Sequence, residues 1–231
     1  MNTVEPSFKF IEEIVATNLV GFRLLFFASE NTLTAHKLIG VRVSQAKTLT
    51  ATEQQQVLHY ISQHKFAARN RAMFFTGLYS GMRVGEIASL CLGDVLNADG
   101  SVKGEVRLRA TQTKGRHART VFISNKLQLE LTEFMSTRNV PDNPKHPLFI
   151  TAGRRAFSAS VMTQHFYWLF QRAGISGASS HSMRRTFITQ LASKGIGVRV
   201  LASLAGHKSI AVTQRYIDVN DDMKRHAVEL I

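Results

Sequence analysis

The sequence predicts an α+β protein, mainly α-helical, with one small antiparallel β-hairpin. Three observations lead there. Apolar residues recur at helical spacing through most of the chain, the stretch 105–124 switches to alternation, and Gly or Pro punctuates the segments. No internal repeat or low-complexity tract is evident.

Taken in order, Phe10, Ile11, Ile14, Val15 and Leu19 fall at roughly helical spacing between Ser7 and Ala28, so one or two helices are expected near the start. Thr50-Ala51-Thr52-Glu53 has capping-box spacing, and Val57, Leu58 and Ile61 continue on one helical face. A domain boundary is therefore placed just before Thr48: a short, partly helical segment 1–47 and a larger domain 48–231. Ala67 to Tyr79 is apolar nearly all round, the pattern of a buried helix stopped by Ser80-Gly81, and a short helix follows from Arg83 to Leu90. Val106, Leu108 and Ala110 alternate with polar residues, KGRH interrupts at 114–117, and Val121 and Ile123 resume the alternation, which makes a hairpin with a basic tip. Helices then return at about 126–138, 158–173, 182–194, 197–205 and 210–217, with breaks at Pro141, Pro144, Pro147, Gly174, Gly177, Gly195 and Gly206.

A net charge of +13 is too basic for a typical metabolic enzyme and points to a polyanion such as nucleic acid, the bland readings being a merely soluble cation or a membrane-surface binder. The excess is unevenly placed: residues 1–47 hold 5 Lys/Arg and 4 Asp/Glu, whereas 48–231 hold 24 and 12, so the basic excess belongs to the larger domain. Cys91 is the sole cysteine, which excludes an intrachain disulfide, fits a reducing compartment and reads as a buried small apolar residue. The start lacks the pattern of a signal peptide, and the apolar run from Leu24 to Ala28 is too short to span a bilayer. A cytoplasmic protein is expected.

Singly, the chemistry-bearing residues have bland readings. Arg83 and Glu86 stand three apart, which alone means an exposed salt bridge. Lys114, on the basic tip with Gly115, Arg116, His117 and Arg119, faces either phosphate or solvent. His181 and Arg184 sit three apart at a helix start, where an anion can be met, though a lone His there is commonly a cap. Tyr216 falls nine residues after His207, and a lone Tyr is usually core with its hydroxyl at the rim.

Together they read differently. TGLYSGMRVGEIASL, TKGRHARTVFI, HSMRRTF and LAGHKSIAVTQRY resemble, in order, the signature segments of the tyrosine recombinase or phage integrase family. The resemblance covers roughly residues 48–231, and its C-terminal segments are the specific ones: H-x-x-R, then Gly-His, then Tyr nine after that His. It implies that Arg83, Lys114, His181, Arg184 and His207 are catalytic, that Glu86 supports them and that Tyr216 is the nucleophile. Arg116, Arg119, Arg185 and Lys208 are the expected DNA-binding residues. Two departures are slight: Ala205 stands where a bulkier apolar residue is usual, and Arg185 where His is also frequent.

The resemblance implies a site-specific DNA recombinase acting through a 3′-phosphotyrosyl intermediate, with integration, excision, inversion or resolution as outcomes. Guanidinium groups suit the extra charge of a phosphorane-like transition state, because they stay protonated and fork onto two oxygens. Lys114 would protonate the departing 5′-oxygen. No metal or other cofactor is required. A non-catalytic DNA-binding regulator of the same fold and a type IB topoisomerase-like relaxation activity are the alternatives. The implied partners are double-stranded DNA, further copies of the chain, up to a tetramer on paired sites, and an accessory DNA-bending or recombinase protein; no membrane is involved, and nucleoid association is expected when DNA is bound. The short segment 1–47 likens the chain to small family members without a full core-binding domain, with weak autonomous DNA binding. The tail 218–231 would dock on a neighbouring protomer or fold back in cis.

Overall fold

Thr50 sets the start of the first described helix, α1 (Ala51–Ser62): its hydroxyl accepts from the Glu53 N–H at 3.2 Å while the Glu53 carboxylate accepts from the Thr50 N–H at 3.0 Å. This is the reciprocal cap that the spacing predicts, and such a cap typically stabilises a helix by about 1 kcal/mol. Val57 and Ile61 turn inward from α1. The computed structural model describes residues 46–138, 141, 143–217 and 221–229, which fall in the unit Ala46–Ile231; the helices expected before residue 45 lie outside the described residues.

Helix α2 (Ala67–Ser80) runs through the centre, with Met73, Phe74, Phe75 and Leu78 at most 5% exposed. Its buried hydroxyls are satisfied within the helix, since Thr76 donates to the Ala72 carbonyl and Ser80 to that of Thr76. Around it pack α1, α5 (Asn125–Ser136) and α7 (Ser180–Ser193). Helix α6 (Ala159–Arg172) presents Met162, Phe166, Leu169 and Phe170 on one face, and Phe170 meets Phe74 edge-on at 6.2 Å. Burial of each such ring stabilises the fold by about 1.5–3 kcal/mol.

Gly81 ends α2 at φ +62°, and a Cβ there would stand 2.6 Å from the Phe187 ring. Both the turn and the close approach need glycine. Gly81→Ala is expected to cost about 2–4 kcal/mol in urea unfolding, from left-handed strain plus the ring's displacement; a loss below about 0.5 kcal/mol, the scatter of neutral surface changes, would refute this account.

The chain then forms α3 (Val84–Ala88) and a four-residue helix, α4 (Leu92–Val95), which the sequence does not predict. Cys91 caps α4 and is half-buried, not the fully buried residue expected, because its N–H is turned toward the Asp94 carboxylate at 2.9 Å. Strands β1 (Glu105–Leu108) and β2 (Arg119–Phe122) pair antiparallel with Val106 opposite Val121 and Leu108 opposite Arg119. A single 3-10 turn, Ala110–Gln112, leads into the hairpin tip. The chain ends in α8 (Val198–Ala205), α9 (Ile210–Gln214) and, in the tail, α10 (Asp221–Val228). Helix α9 is shorter than the predicted 210–217: the N–H groups of Tyr216 and Ile217 bond three residues back, to Thr213 and Gln214, and this tighter winding ends the α-helix. No described helix is long and apolar enough to cross a membrane.

Candidate active site

Arg83 is delivered by the glycine turn that ends α2. It caps α3 from extended backbone (φ −74°, ψ 151°), its N–H donates to Glu86 at 2.8 Å and its guanidinium to the same carboxylate at 3.1 Å. Glu86 is 1% exposed and receives a second guanidinium, that of Arg119, at 2.8 Å. The pair at 83 and 86 is therefore an organised anchor on a buried carboxylate, with Arg83 part-exposed, and not the surface salt bridge that the spacing alone implies.

Arg184 projects from α7 and is 5% exposed. Its fork donates to two carbonyls, Gly81 at 2.5 Å and Ala205 at 2.6 Å. Arg119 donates to the Leu204 carbonyl at 2.9 Å, and Arg83 to that of Gly206 at 3.3 Å. Three guanidinium groups thus occupy three consecutive carbonyls, 204 to 206, at the end of α8. Those carbonyls lack helical partners and carry the negative end of the helix dipole, which offsets the repulsion of gathering three cations.

Gly206 lets the arginines come this close. It turns the chain at φ +63°, and a Cβ there would meet the Arg119 side chain at 2.6 Å. The turn places His207, whose Nδ1 lies 2.8 Å from the fully buried Thr213 hydroxyl. Its ring stacks on Tyr216, centroids 5.8 Å apart and planes 16° from parallel. Tyr216 stands in the turn just beyond α9, half-buried, with the Arg185 guanidinium over its ring at 5.5 Å.

Lys114 and His181 line the mouth. A cleft of about 400 Å³ runs between the start of α3, the hairpin and the start of α7, lined by Arg83, Lys114, Ser180, His181 and Arg184 among others. A second, of about 610 Å³, continues past Arg83 and Lys114 to His207 and Lys208. Lys114, Arg116 and Lys208 are exposed, with the Lys208 chain lying over Gly115 on the hairpin tip. Arg116 adopts φ +52° there. Two residues expected to face DNA are held differently. Arg119 is 13% exposed and turned inward onto Glu86 and Leu204, because it shares the inner face of β2 with Val121. Arg185 is half-buried, donating to the Thr48 hydroxyl at 3.1 Å beside its contact with Tyr216.

All seven residues with expected catalytic or supporting roles thus come to one cleft or its immediate rim, from parts of the chain 133 residues apart at the extremes, Arg83 and Tyr216. A family pattern that contains this stretch matches residues 47–223 and is that of the phage integrase family. The chain belongs to that family. Among curated relatives of the chain, tyrosine recombinase XerC of Vibrio cholerae is 27% identical over 211 residues, covering 87% of this chain and 66% of its own length. The chain thus spans just under two thirds of that relative. XerD of Rickettsia conorii is 26% identical over 219 residues, 88% of this chain and 71% of its own length. In structure the chain resembles the crystal structure of XerA recombinase, with a TM-score of 0.64, 25% identity and coverage of 84% of this chain and 71% of that one.

The charge pattern of the site sets its protonation. Burial, then the charges of Arg184, Arg83 and Arg119, push His207 down to about 4, so it is neutral near pH 7. His181 keeps an exposed face, yet the surrounding protein and then Arg184, Lys114 and Arg83 hold it below the ordinary histidine value. Burial would raise Glu86, but the hydrogen bond and charge of Arg119, then those of Arg83, outweigh it and hold the carboxyl below its usual range. Burial and Arg83 lower Arg184 in turn, though a guanidinium starts so far above neutrality that it keeps its proton. Removing a cation should relieve His207: in Arg83→Gln its NMR titration midpoint is expected to rise from near 4 toward 6.5, and a wild-type midpoint already at 6.5 would contradict the reading.

Sequence reasoning misses three parts of this site: Thr213 as the partner of His207, the inward use of Arg119, and the carbonyls of α8. Only the second leaves a readable signal, since residues 119, 121 and 123 share one face of an alternating strand. Among the described residues no group of three or more His, Cys, Asp or Glu is placed to hold a metal ion.

Proposed function

We propose that this chain is a site-specific recombinase that cuts and rejoins DNA through a 3′-phosphotyrosyl link to Tyr216. One observation carries the reading: a phenol stacked on a neutral histidine stands beside arginines gathered on the end of one helix. That arrangement pairs a nucleophile with donors for a phosphate, and tyrosyl attack keeps the phosphodiester energy so that rejoining needs no ATP.

In the proposed reaction Arg83 and Arg184 bind the non-bridging oxygens of the scissile phosphate, and His181 adds a hydrogen bond. Neutral His207 accepts the phenol proton as the Tyr216 oxygen attacks phosphorus. The bond to the 5′-oxygen breaks, and Lys114 gives that oxygen its proton; an incoming 5′-hydroxyl reverses each step. Arg116, Arg185 and Lys208 contact flanking phosphates, with Arg185 also steadying the Tyr216 ring. Copies of the chain assemble on paired duplex sites, up to a tetramer, with the tail contacting a neighbour and an accessory protein shaping the DNA.

The test uses nicked DNA substrates drawn from the flanks of the chain's own gene, together with a supercoiled plasmid lacking those sequences. A denaturation-resistant protein–DNA adduct on the substrates, with the plasmid left supercoiled, is expected. Relaxation of the plasmid would instead identify a topoisomerase, and specific binding without adduct a regulator.

A further inference from the structure

Lys114 rides on an exposed tip, and a general acid is effective only if its proton is held close to the leaving oxygen. What holds that tip is visible on both arms of the hairpin. On the first arm Gln112 donates to the Ser89 carbonyl at 3.1 Å and to the Asp94 carboxylate at 2.9 Å, which fixes it to the α3–α4 segment. On the second, Arg119 donates to Glu86 at 2.8 Å and to the Leu204 carbonyl at 2.9 Å, and packs on Gly206. Only the second arm reaches both the Arg83 anchor and the turn that carries His207.

We infer that Arg119 is a positioning residue for Lys114: it sets the hairpin against the phosphate-binding arginines, so that the ammonium meets the leaving 5′-oxygen. A lysine in its place keeps the charge but lacks the fork that spans Glu86 and Leu204. The inference rests on the proposed role of Lys114 as the acid.

The leaving group distinguishes this role from a merely structural one. Where a sulfur replaces the bridging 5′-oxygen, the P–S bond breaks to a thiolate, whose pKa is far below that of an alcohol, so no proton need be supplied. Cleavage of ordinary DNA by Arg119→Lys is expected to fall about 10²-fold, the scale of general-acid catalysis, and to return to within a few-fold of wild type on the 5′-bridging phosphorothiolate. Lys114→Ala should behave the same way. If Arg119→Lys is slowed equally on both substrates while Lys114→Ala is rescued, the positioning role is overturned. If Lys114→Ala is not rescued, the fault lies with the assignment of the acid. Arg119→Met, which keeps the packing on Gly206 without a buried charge, repeats the test should the lysine variant fold poorly by circular dichroism, and unrescued cleavage by a folded Arg119→Met counts against the inference in the same way.

Discussion

Tyr216→Phe is expected to lose covalent attachment to DNA by at least about 10⁴-fold, the scale seen when a nucleophile is removed. DNA affinity should stay within about threefold, as for a change that removes no packing. The two should separate because of what the phenyl ring retains. It still stacks on His207 at 5.8 Å and still lies under Arg185 at 5.5 Å, and the bonds that hold residue 216 in its turn are backbone ones: its N–H to Thr213 at 2.9 Å, and its carbonyl accepting from the Thr189 hydroxyl at 3.2 Å. Only the attacking oxygen is gone. Filter binding and denaturing gels on the same nicked substrate measure both quantities, and an adduct from Tyr216→Phe at wild-type level would move the nucleophile elsewhere.

Arg184→Ala should be the most damaging change of a donor. Losing one fixed donor to a developing oxyanion commonly costs about 10²–10³ in rate. This donor is also structural, since it alone spans the Gly81 and Ala205 carbonyls, and leaving two buried acceptors without a charged partner costs about 2–5 kcal/mol. Arg184→Lys separates the two effects: one ammonium cannot follow both carbonyls and a phosphate, so stability should recover in part while cleavage stays low. Urea unfolding and single-turnover cleavage give the comparison, and wild-type cleavage by either variant would remove Arg184 from the phosphate site.

Much of this was legible before any coordinates. The cap at Thr50, the stop at Gly81 and the hairpin alternation are local signals, and local structure follows them. The ordered segments around Arg83, Lys114, His181, Arg184, His207 and Tyr216 mark residues that the fold brings to the adjoining clefts or their immediate rim. Spacing could not show which side chains turn inward. Glu86 looks like half of a surface pair until Arg119 arrives from 33 residues away, and Arg119 looks like part of a basic loop until its strand register is known. Carbonyl partners are the least readable of all, because every residue has one and only the tertiary path decides which are left over at a helix end.

The end of α8 also governs when the site comes into being. Its three carbonyls take arginines from 123, 85 and 21 residues upstream, so the guanidinium cluster closes loops of very different lengths at one point. The loop-closure cost of such contacts must be met before they stabilise the fold, and it is greatest for the two longer loops. A chain still emerging from the ribosome, or one whose C-terminal helices have frayed, has its arginines but no common post to hold them. The proposed strand-cutting chemistry is in this way tied to completion of the C-terminal helices.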